Sequence, residues 1–520
     1  MTPGRAWLGF TAMCVGMFMA ILDIQIVAAA LPTIEHALHI PLDQLSWIQT
    51  AYLITEVIAI ALSGRLTRAL STRGVFTLGV AGFVVASIGC ALSRSFVPLI
   101  VWRTIQGFCG GVIIPTVFAT GFTMFARALQ ARALLVAGAL AMLAPSVGPL
   151  LGGFIAEKLS WHWLFLINVP TGIVVALLAY ALIRVDEADP RAWRTIDPIA
   201  LIALAAGLAM LETLLKVTPG DRWTQFRDLS LEIGIFVTGF VFIRRCIGRA
   251  DPLVDFAPLR AKSFTAACVL NFALGLGLYG SVYVLPLFLG VVRGHSALQI
   301  GLIMTVTGVA QLLAAPIATF ADKRFPPVWV AAFGFALFGA GSLANAFATP
   351  ASDFSELLLP QILRGAAVLF CILPITTVAL EGQPATQLGN ASGLLNLMRN
   401  IGGAVGIGLV DTLINVRPAS IAAHLAAELA AGSRRTAEYV GLPPALFTGR
   451  AMTHVDPSSA AFARPLVERA AATIAFNEAW ILLGALMLLS LVSVPLLRRP
   501  QRASGWTKAV GAHAASDPIT

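Results

Sequence analysis

The sequence predicts an all-α integral membrane protein of fourteen transmembrane helices, and three observations carry that reading. Between Trp7 and Arg499 lie about fourteen apolar stretches, each near the ~20 residues that a helix needs to cross a bilayer. Hydrophobic residues make up 58% of the 520 and charged residues 12%, with a mean hydropathy of +0.84, too little charge to cover a soluble surface. The runs are too long for barrel strands, and backbone polar groups cannot go unpaired in lipid, so the spans are helices.

The first six spans are expected at 8–31, 46–66, 75–93, 98–120, 131–155 and 163–184. Two more follow at 196–216 and 229–248, then six at 264–289, 298–320, 328–348, 357–379, 392–413 and 473–497. Pro and Gly mark many ends, as in Leu31-Pro32, Asn168-Val169-Pro170 and Leu285-Pro286. Asp23 and Gln25 interrupt the first span, which is too long and too polar for a cleaved signal peptide. The six cysteines lie in or at the edge of spans without paired spacing, and read as small apolar side chains.

Basic residues set the orientation. A cytoplasmic N-terminus places twenty Lys/Arg in inner segments, among them Arg65, Arg68, Arg73, Arg244, Arg245, Lys323 and Arg324. Six remain in the short outer loops, so both ends are expected in the cytoplasm of a cell inner membrane. A basic inner face meeting anionic lipid headgroups accounts for the net charge of +9 without nucleic acid.

The chain repeats. Shifted by 254 residues, Phe10-Thr11-Ala12-Met13-Cys14-Val15 lies over Phe264-Thr265-Ala266-Ala267-Cys268-Val269, and Leu31-Pro32 over Leu285-Pro286. Arg103 to Pro115, with Gly107 between, also resembles Arg364 to Pro374 with Gly365. The expected organisation is a six-helix bundle at 1–185, an inserted helix pair at 186–260 and a second six-helix bundle at 261–500. The second bundle carries a long outer loop at 414–472, and a cytoplasmic tail follows at 501–520. Such repeats build transporters with the substrate site at their interface.

Ionisable groups inside spans are costly, at roughly 2.5–3.5 kcal/mol on insertion scales, and are functional candidates by default. Asp23 and Glu56 are the acids of this kind, and a carboxyl held away from water can exchange a proton near neutral pH. Arg103, a permanent cation in a span, needs a carboxylate or carbonyl partner. Gly148 and Gly152 lie one turn apart with Pro149 and Gly153, a pattern that admits a close backbone and a bend. Gln25, Asn271, Gln311, Arg364 and Asn396 are further polar residues able to line a cavity.

These segments together resemble the EmrB/QacA-type, fourteen-helix drug:proton antiporters of the major facilitator superfamily. In Leu22-Asp23-Ile24-Gln25-Ile26-Val27-Ala28-Ala29-Ala30-Leu31-Pro32, Asp23, Ile26, Ala30, Leu31 and Pro32 match the family's first-helix pattern, while Gln25 and Ala28 replace its Thr and Asn. Arg103-Thr104-Ile105-Gln106-Gly107 matches the fourth-helix pattern, and Gly148-Pro149-Leu150-Leu151-Gly152-Gly153 the antiporter motif of the fifth. In the loop after the second helix Gly64 and Leu66 match, whereas Arg68 stands for the usual acid and Ser71 for the second glycine. Arg73 closes that segment. The counterpart Asp322-Lys323-Arg324 retains an Asp-Lys pair and is expected to carry more of the gating. Trp161-His162-Trp163-Leu164-Phe165-Leu166-Ile167-Asn168-Val169-Pro170 resembles another family segment, read as interface anchoring by Trp.

The resemblance implies a proton-coupled multidrug efflux antiporter with no cofactor, driven by the proton gradient through Asp23, Glu56 and Arg103. Its expected partners are amphipathic drugs, protons and the bilayer, with a periplasmic membrane-fusion adaptor and an outer-membrane channel. An exporter of one metabolite, lipid precursor or siderophore is the nearer alternative, and a polytopic membrane enzyme the remote one. Phosphate-binding Gly-x-x-x-x-Gly-Lys-Ser/Thr and Cys-x-x-Cys or His-x-x-x-His metal spacings are absent from the sequence, so neither ATP nor a metal is expected.

Overall fold

A computed structural model describes residues 3–215, 226–249, 252–381, 383, 388–442 and 457–498. The tail at 501–520, residues 443–456 of the outer loop and residues 216–225 of the inserted pair lie outside the described residues. The described chain is helical. In order come α1 (Pro3–Ala29), α2 (Leu31–Leu38), α3 (Leu42–Leu45), α4 (Trp47–Leu92), α5 (Phe96–Thr123), α6 (Arg127–Lys158), α7 (Trp163–Leu166) and α8 (Asn168–Leu182). The inserted pair is α9 (Pro198–Leu215) and α10 (Phe226–Cys246). Then follow α11 (Lys262–Leu287), α12 (Ala297–Arg324), α13 (Pro327–Asn345), α14 (Phe354–Glu381), α15 (Leu388–Ala430), α16 (Arg434–Val440) and α17 (Pro457–Leu489).

Among the described residues twelve helical segments are long and apolar enough to cross a membrane. One of them, Leu42–Leu92, has 51 residues, about 77 Å of helix against a hydrocarbon core of ~30 Å. It is two spans joined at Ser71, whose φ of 67° and ψ of 160° break the helical path. The fourteenth is α10, whose charges sit near its ends at Asp228, Arg244 and Arg245, with Ile233, Phe236, Val237 and Phe240 exposed along its middle. It packs against α9. The fold is therefore an all-helical membrane fold of fourteen spanning helices.

The outer connection at 414–472 is largely a continuation of the last two spans. α15 continues to Ala430 and α17 begins at Pro457, so the described part of the segment is a helical hairpin and not an irregular loop. Its few apolar residues are spaced to build a small separate core. Ile421, Leu425 and Leu429 meet Ala437, Val440 and Leu442 of the α16 region, with Ala463, Val467, Ala470 and Ala471 of α17. Arg417 pairs with Glu478 at 2.7 Å at the hairpin's base. Alanine, a strong helix former, carries the helices between these contacts where hydropathy falls below the level that marks a span.

Candidate functional site: a buried ion pair and its hydrogen-bond shell

Asp23 lies on α1 with no exposed surface, as does Arg103 on α5. The two side chains meet, Arg103 Nη1 donating to Asp23 Oδ2 at 2.5 Å. Asp23 Oδ1 accepts from Gln106 Nε2 at 3.0 Å and from Asn168 Nδ2 at 2.9 Å. Gln106 Nε2 also donates to Ser87 Oγ (2.9 Å), and its Oε1 accepts from Arg103 Nη1 (2.7 Å). Arg103 Nε donates to the Ile48 carbonyl at 3.0 Å, and the guanidinium lies 4.5 Å from the Tyr52 ring centroid. Four residues from three neighbouring helices thus close around one carboxylate, which a charge buried in a membrane protein requires.

Sequence reasoning brought Asp23 and Arg103 to notice and missed two of the carboxylate's neighbours. Asn168 stood in a segment read as Trp anchoring, yet it opens α8 and donates to Asp23. Ser87 gave no sequence signal beyond being a hydroxyl inside an apolar span. Trp161, the anchor of that reading, stacks on His162 and is buried.

Glu56 lies one turn beyond Tyr52 on α4, outside the Asp23 shell and buried. It faces α15 of the second bundle, where Arg399 and Asn400 act on its carboxyl. Tyr279 donates to Asn400 Oδ1 at 3.4 Å, extending the contact to α11. The structure therefore sets two separate carboxyls, one inside the first bundle and one at the joint between bundles.

The glycine motif forms that joint towards the Lys158 end of α6. A Cβ on Gly148 would lie 2.5 Å from Gln25 Cβ, and one on Gly152 would lie 2.6 Å from the Ile26 carbonyl oxygen, so α6 rides directly on α1. The other face of α6 meets α12. A Cβ on Gly153 would come within 2.2 Å of the Ala297 carbonyl oxygen, and one on Gly301 within 2.3 Å of the Pro149 oxygen. Ser146 Oγ donates to the Gly308 carbonyl (2.8 Å), and the Leu298 N–H donates to Glu157 (3.1 Å). Ser46 at the head of α4 donates to Asp411 of α15 at 2.8 Å, where Tyr283 also donates at 2.6 Å. The bundles are closed against each other at this end.

The inner loops are arranged differently from expectation. Gly64 and Arg68 are exposed, and the Arg68 carbonyl accepts from Asp189 N–H. Arg73 lies 5.3 Å from the Tyr180 ring. Asp322 accepts from Thr377 Oγ1 (3.1 Å), and among the described residues it makes no ion pair with Lys323. The connection is made by Arg65, buried and donating to the carbonyls of Pro252 and Leu253 ahead of the second bundle. Asp186 supplies the acid that Arg68 displaced, accepting from the Thr72 N–H and hydroxyl at 2.9 Å.

Of the other polar candidates, Asn271 Nδ2 donates to the Leu395 carbonyl (2.5 Å) and ties α11 to α15. Asn396 accepts from Arg399 at 2.6 Å, Gln311 is buried on α12, and Arg364 is buried against Trp480. A groove of about 940 Å³ runs between α12 and α14, lined by Leu302, Val309, Leu313, Ile317, Leu358 and Ile362. Its lining includes neither Asp23 nor Glu56, so it is no part of the ion-pair site. At its outer end Arg293 and His295 hold the Asp353 carboxyl below the usual carboxylate range. The six cysteines are free and buried, and among the described residues no group of His, Cys, Asp and Glu has a metal-binding arrangement.

Helix count, inter-bundle glycine contacts and a buried ion pair define a polytopic membrane transporter. The chain belongs to the Major Facilitator Superfamily, whose pattern matches residues 13–407. Within it the chain is of the EmrB type. It is 37% identical over 413 residues to the colistin resistance protein EmrB of Acinetobacter baumannii, covering 79% of this chain and 80% of that one. It is 28% identical over 404 residues to the multidrug export protein EmrB of Escherichia coli (strain K12), covering 77% and 79%. Among solved structures, a bacterial homologue of the human lysosomal transporter Spinster, in an inward-facing and unoccupied conformation, superposes with a TM-score of 0.60. That match has 14% identity over 96% of this chain and 100% of the other.

Proposed function

We propose that the protein is a proton-coupled antiporter that expels amphipathic small molecules across the inner membrane, with both termini cytoplasmic. The observation that carries the reading is Asp23, a carboxylate with no exposed surface whose every visible partner is a hydrogen-bond donor. A group so held has one stable ionised arrangement, and a proton arriving there competes directly with Arg103. Glu56 at the joint gives a second proton or cation site that bundle movement would open and close. Similar proteins named for multidrug export, colistin resistance and tetracenomycin C resistance support drugs as the cargo. In everted vesicles, adding substrate releases protons from the lumen in step with substrate uptake. Uptake that ignores a collapsed proton gradient would sink the coupling.

The proposed organisation keeps the bundles at 1–185 and 261–500 about the inserted pair at 186–260, and rests on the 254-residue repeat. A reporter fused after Thr520 scores as cytoplasmic on this reading; an external score contradicts both the topology and the even span count.

The hairpin is the proposed dock for a periplasmic adaptor of the membrane-fusion type, which would pass substrate to an outer-membrane channel. Its own packed core gives it a defined shape. The Arg417–Glu478 pair marks a level at which α15 and α17 can be rejoined. Replacing residues 422–472 by a short Gly-Ser turn removes adaptor co-purification and leaves proton-coupled uptake in vesicles intact. Persistent co-purification refutes the docking role.

A further inference from the structure

The second bundle contains a copy of the Asp23 site with the acid removed. In the first bundle the carboxylate on α1 is met by Ser87 of α4, Arg103 and Gln106 of α5, and Asn168 of α8. The corresponding helices of the second bundle are α11, α13, α14 and α17. They carry Ser342 and Asn345 on α13, Gln361 and Arg364 on α14, and Asn477 and Trp480 on α17. Asp23 shifted by the 254-residue repeat falls on Gly277 of α11. Met487 and Phe338 occupy the space an acid would take there, since a Cβ would lie 2.7 Å from Met487 Sδ and 3.1 Å from Phe338 Cε1.

Arg364 remains without its counter-charge. Arg364 is 2% exposed, and among the described residues it makes no hydrogen bond and no ion pair. One face of its guanidinium lies 4.4 Å from the Trp480 ring centroid, which leaves the N–H edge to be satisfied. Arg364 Nε and Nη2, Gln361 Nε2, both polar atoms of the Asn345 amide, Ser342 Oγ and Asn477 Oδ1 are all buried without a partner, and Arg364 is the one charge among them. Gln361 Oε1 accepts from Thr307 Oγ1 at 3.1 Å, while its Nε2 donor has no partner. Gly341 sets α13 against the cluster, since a Cβ there would lie 2.9 Å from Arg364 Cγ. Guanidinium keeps its proton in proteins, and a buried cation needs a counter-charge as well as acceptors. Water supplies acceptors only.

We propose that the second bundle binds one small inorganic monoanion of the halide type at Arg364, where it stands to Arg364 as Asp23 stands to Arg103. The enclosure favours a bare ion over an organic acid, with Trp480 covering one face and Met487 and Phe338 filling the space beside Gly277. The repeat would then pair a fixed carboxylate in one bundle with an exchangeable anion in the other.

Full-length protein in lipid nanodiscs, equilibrated with radioactive chloride at constant ionic strength in gluconate, tests this. Saturable binding of about one chloride per chain is expected, displaced by bromide and abolished by Arg364→Gln. Gln361→Leu keeps the charge and covers the case in which Arg364→Gln fails to fold. It is expected to weaken chloride about tenfold, the equivalent of one lost hydrogen bond to a charged ligand. Absence of saturable chloride binding by the unaltered protein overturns the proposal, as does undiminished binding in both variants. Displacement by decanoate but not by bromide overturns the inorganic assignment and makes the group a carboxylate site.

Discussion

Asp23→Asn is expected to reduce proton-driven efflux by about two orders of magnitude or more while the protein still inserts. That is the lower end of what losing a positioned proton-transfer group costs elsewhere. The amide cannot take up and release a proton, yet it has the shape of the acid and still accepts from Arg103, so the four helices keep their places. Breaking a buried ion pair from one side leaves the other charge uncompensated, typically about 3–5 kcal/mol, with Asn recovering part of that through its oxygen. Thermal stability therefore falls with transport, and a structural role alone would predict the same pair of losses.

The double variant Asp23→Asn/Arg103→Gln separates the two explanations. With both charges gone the burial penalty disappears, and two amides can bond each other and Gln106. Stability is expected to recover towards the unaltered protein, measured as the unfolding temperature in detergent. Transport is expected to remain absent, because nothing in the shell then carries the proton. Recovery of efflux in the double variant would reduce Asp23 to a tie between helices.

How much of this was legible before the structure depended on the kind of signal. The spans read directly from apolarity, because lipid imposes one requirement on every crossing segment. Even so, the turn at Ser71 carries no Pro or Gly at its own position, and the join between the second and third spans is one nearly continuous helix. Asp23 and Arg103 were legible as charges that each needed a partner, and being 80 residues apart hid only that they are each other's. Asn168 was not legible, since a neutral amide at a span end is satisfied equally well by water, lipid headgroups or a carboxylate. Arg65 was overlooked for a related reason. The family pattern directs attention to the missing acid at Arg68, whereas the contacts are made three residues earlier to backbone carbonyls that no pattern records. The hairpin went unread because its alanines carry helix propensity without hydropathy, and its core needs residues from three separate stretches.

Gly153→Val is the variant expected to show what the glycine motif does between bundles. Gly152 and Gly153 are adjacent but face different neighbours. A side chain at Gly152 would press on Ile26 of α1 inside the first bundle, and one at Gly153 on the Ala297 backbone of α12 in the second. Neither neighbour is a flexible side chain, so neither can yield without moving a helix. Gly152→Val should therefore displace α1, which carries Asp23, and lower stability and transport together. Gly153→Val leaves the first bundle's packing alone and bars the closed arrangement at the Lys158 end of α6. A bias of about 1–3 kcal/mol against one state shifts its population by roughly 5–150-fold, and transport that must pass through that state falls accordingly. The gauge is a short bis-maleimide cross-link between cysteines placed at Glu157 and Leu298, which meet across the α6–α12 contact, in a background with the six native cysteines replaced. Gly153→Val should slow that cross-link and transport by similar factors at unchanged unfolding temperature. Equal cross-linking with normal transport would mean that the bundles close without this contact, and the motif would then serve packing inside the first bundle alone.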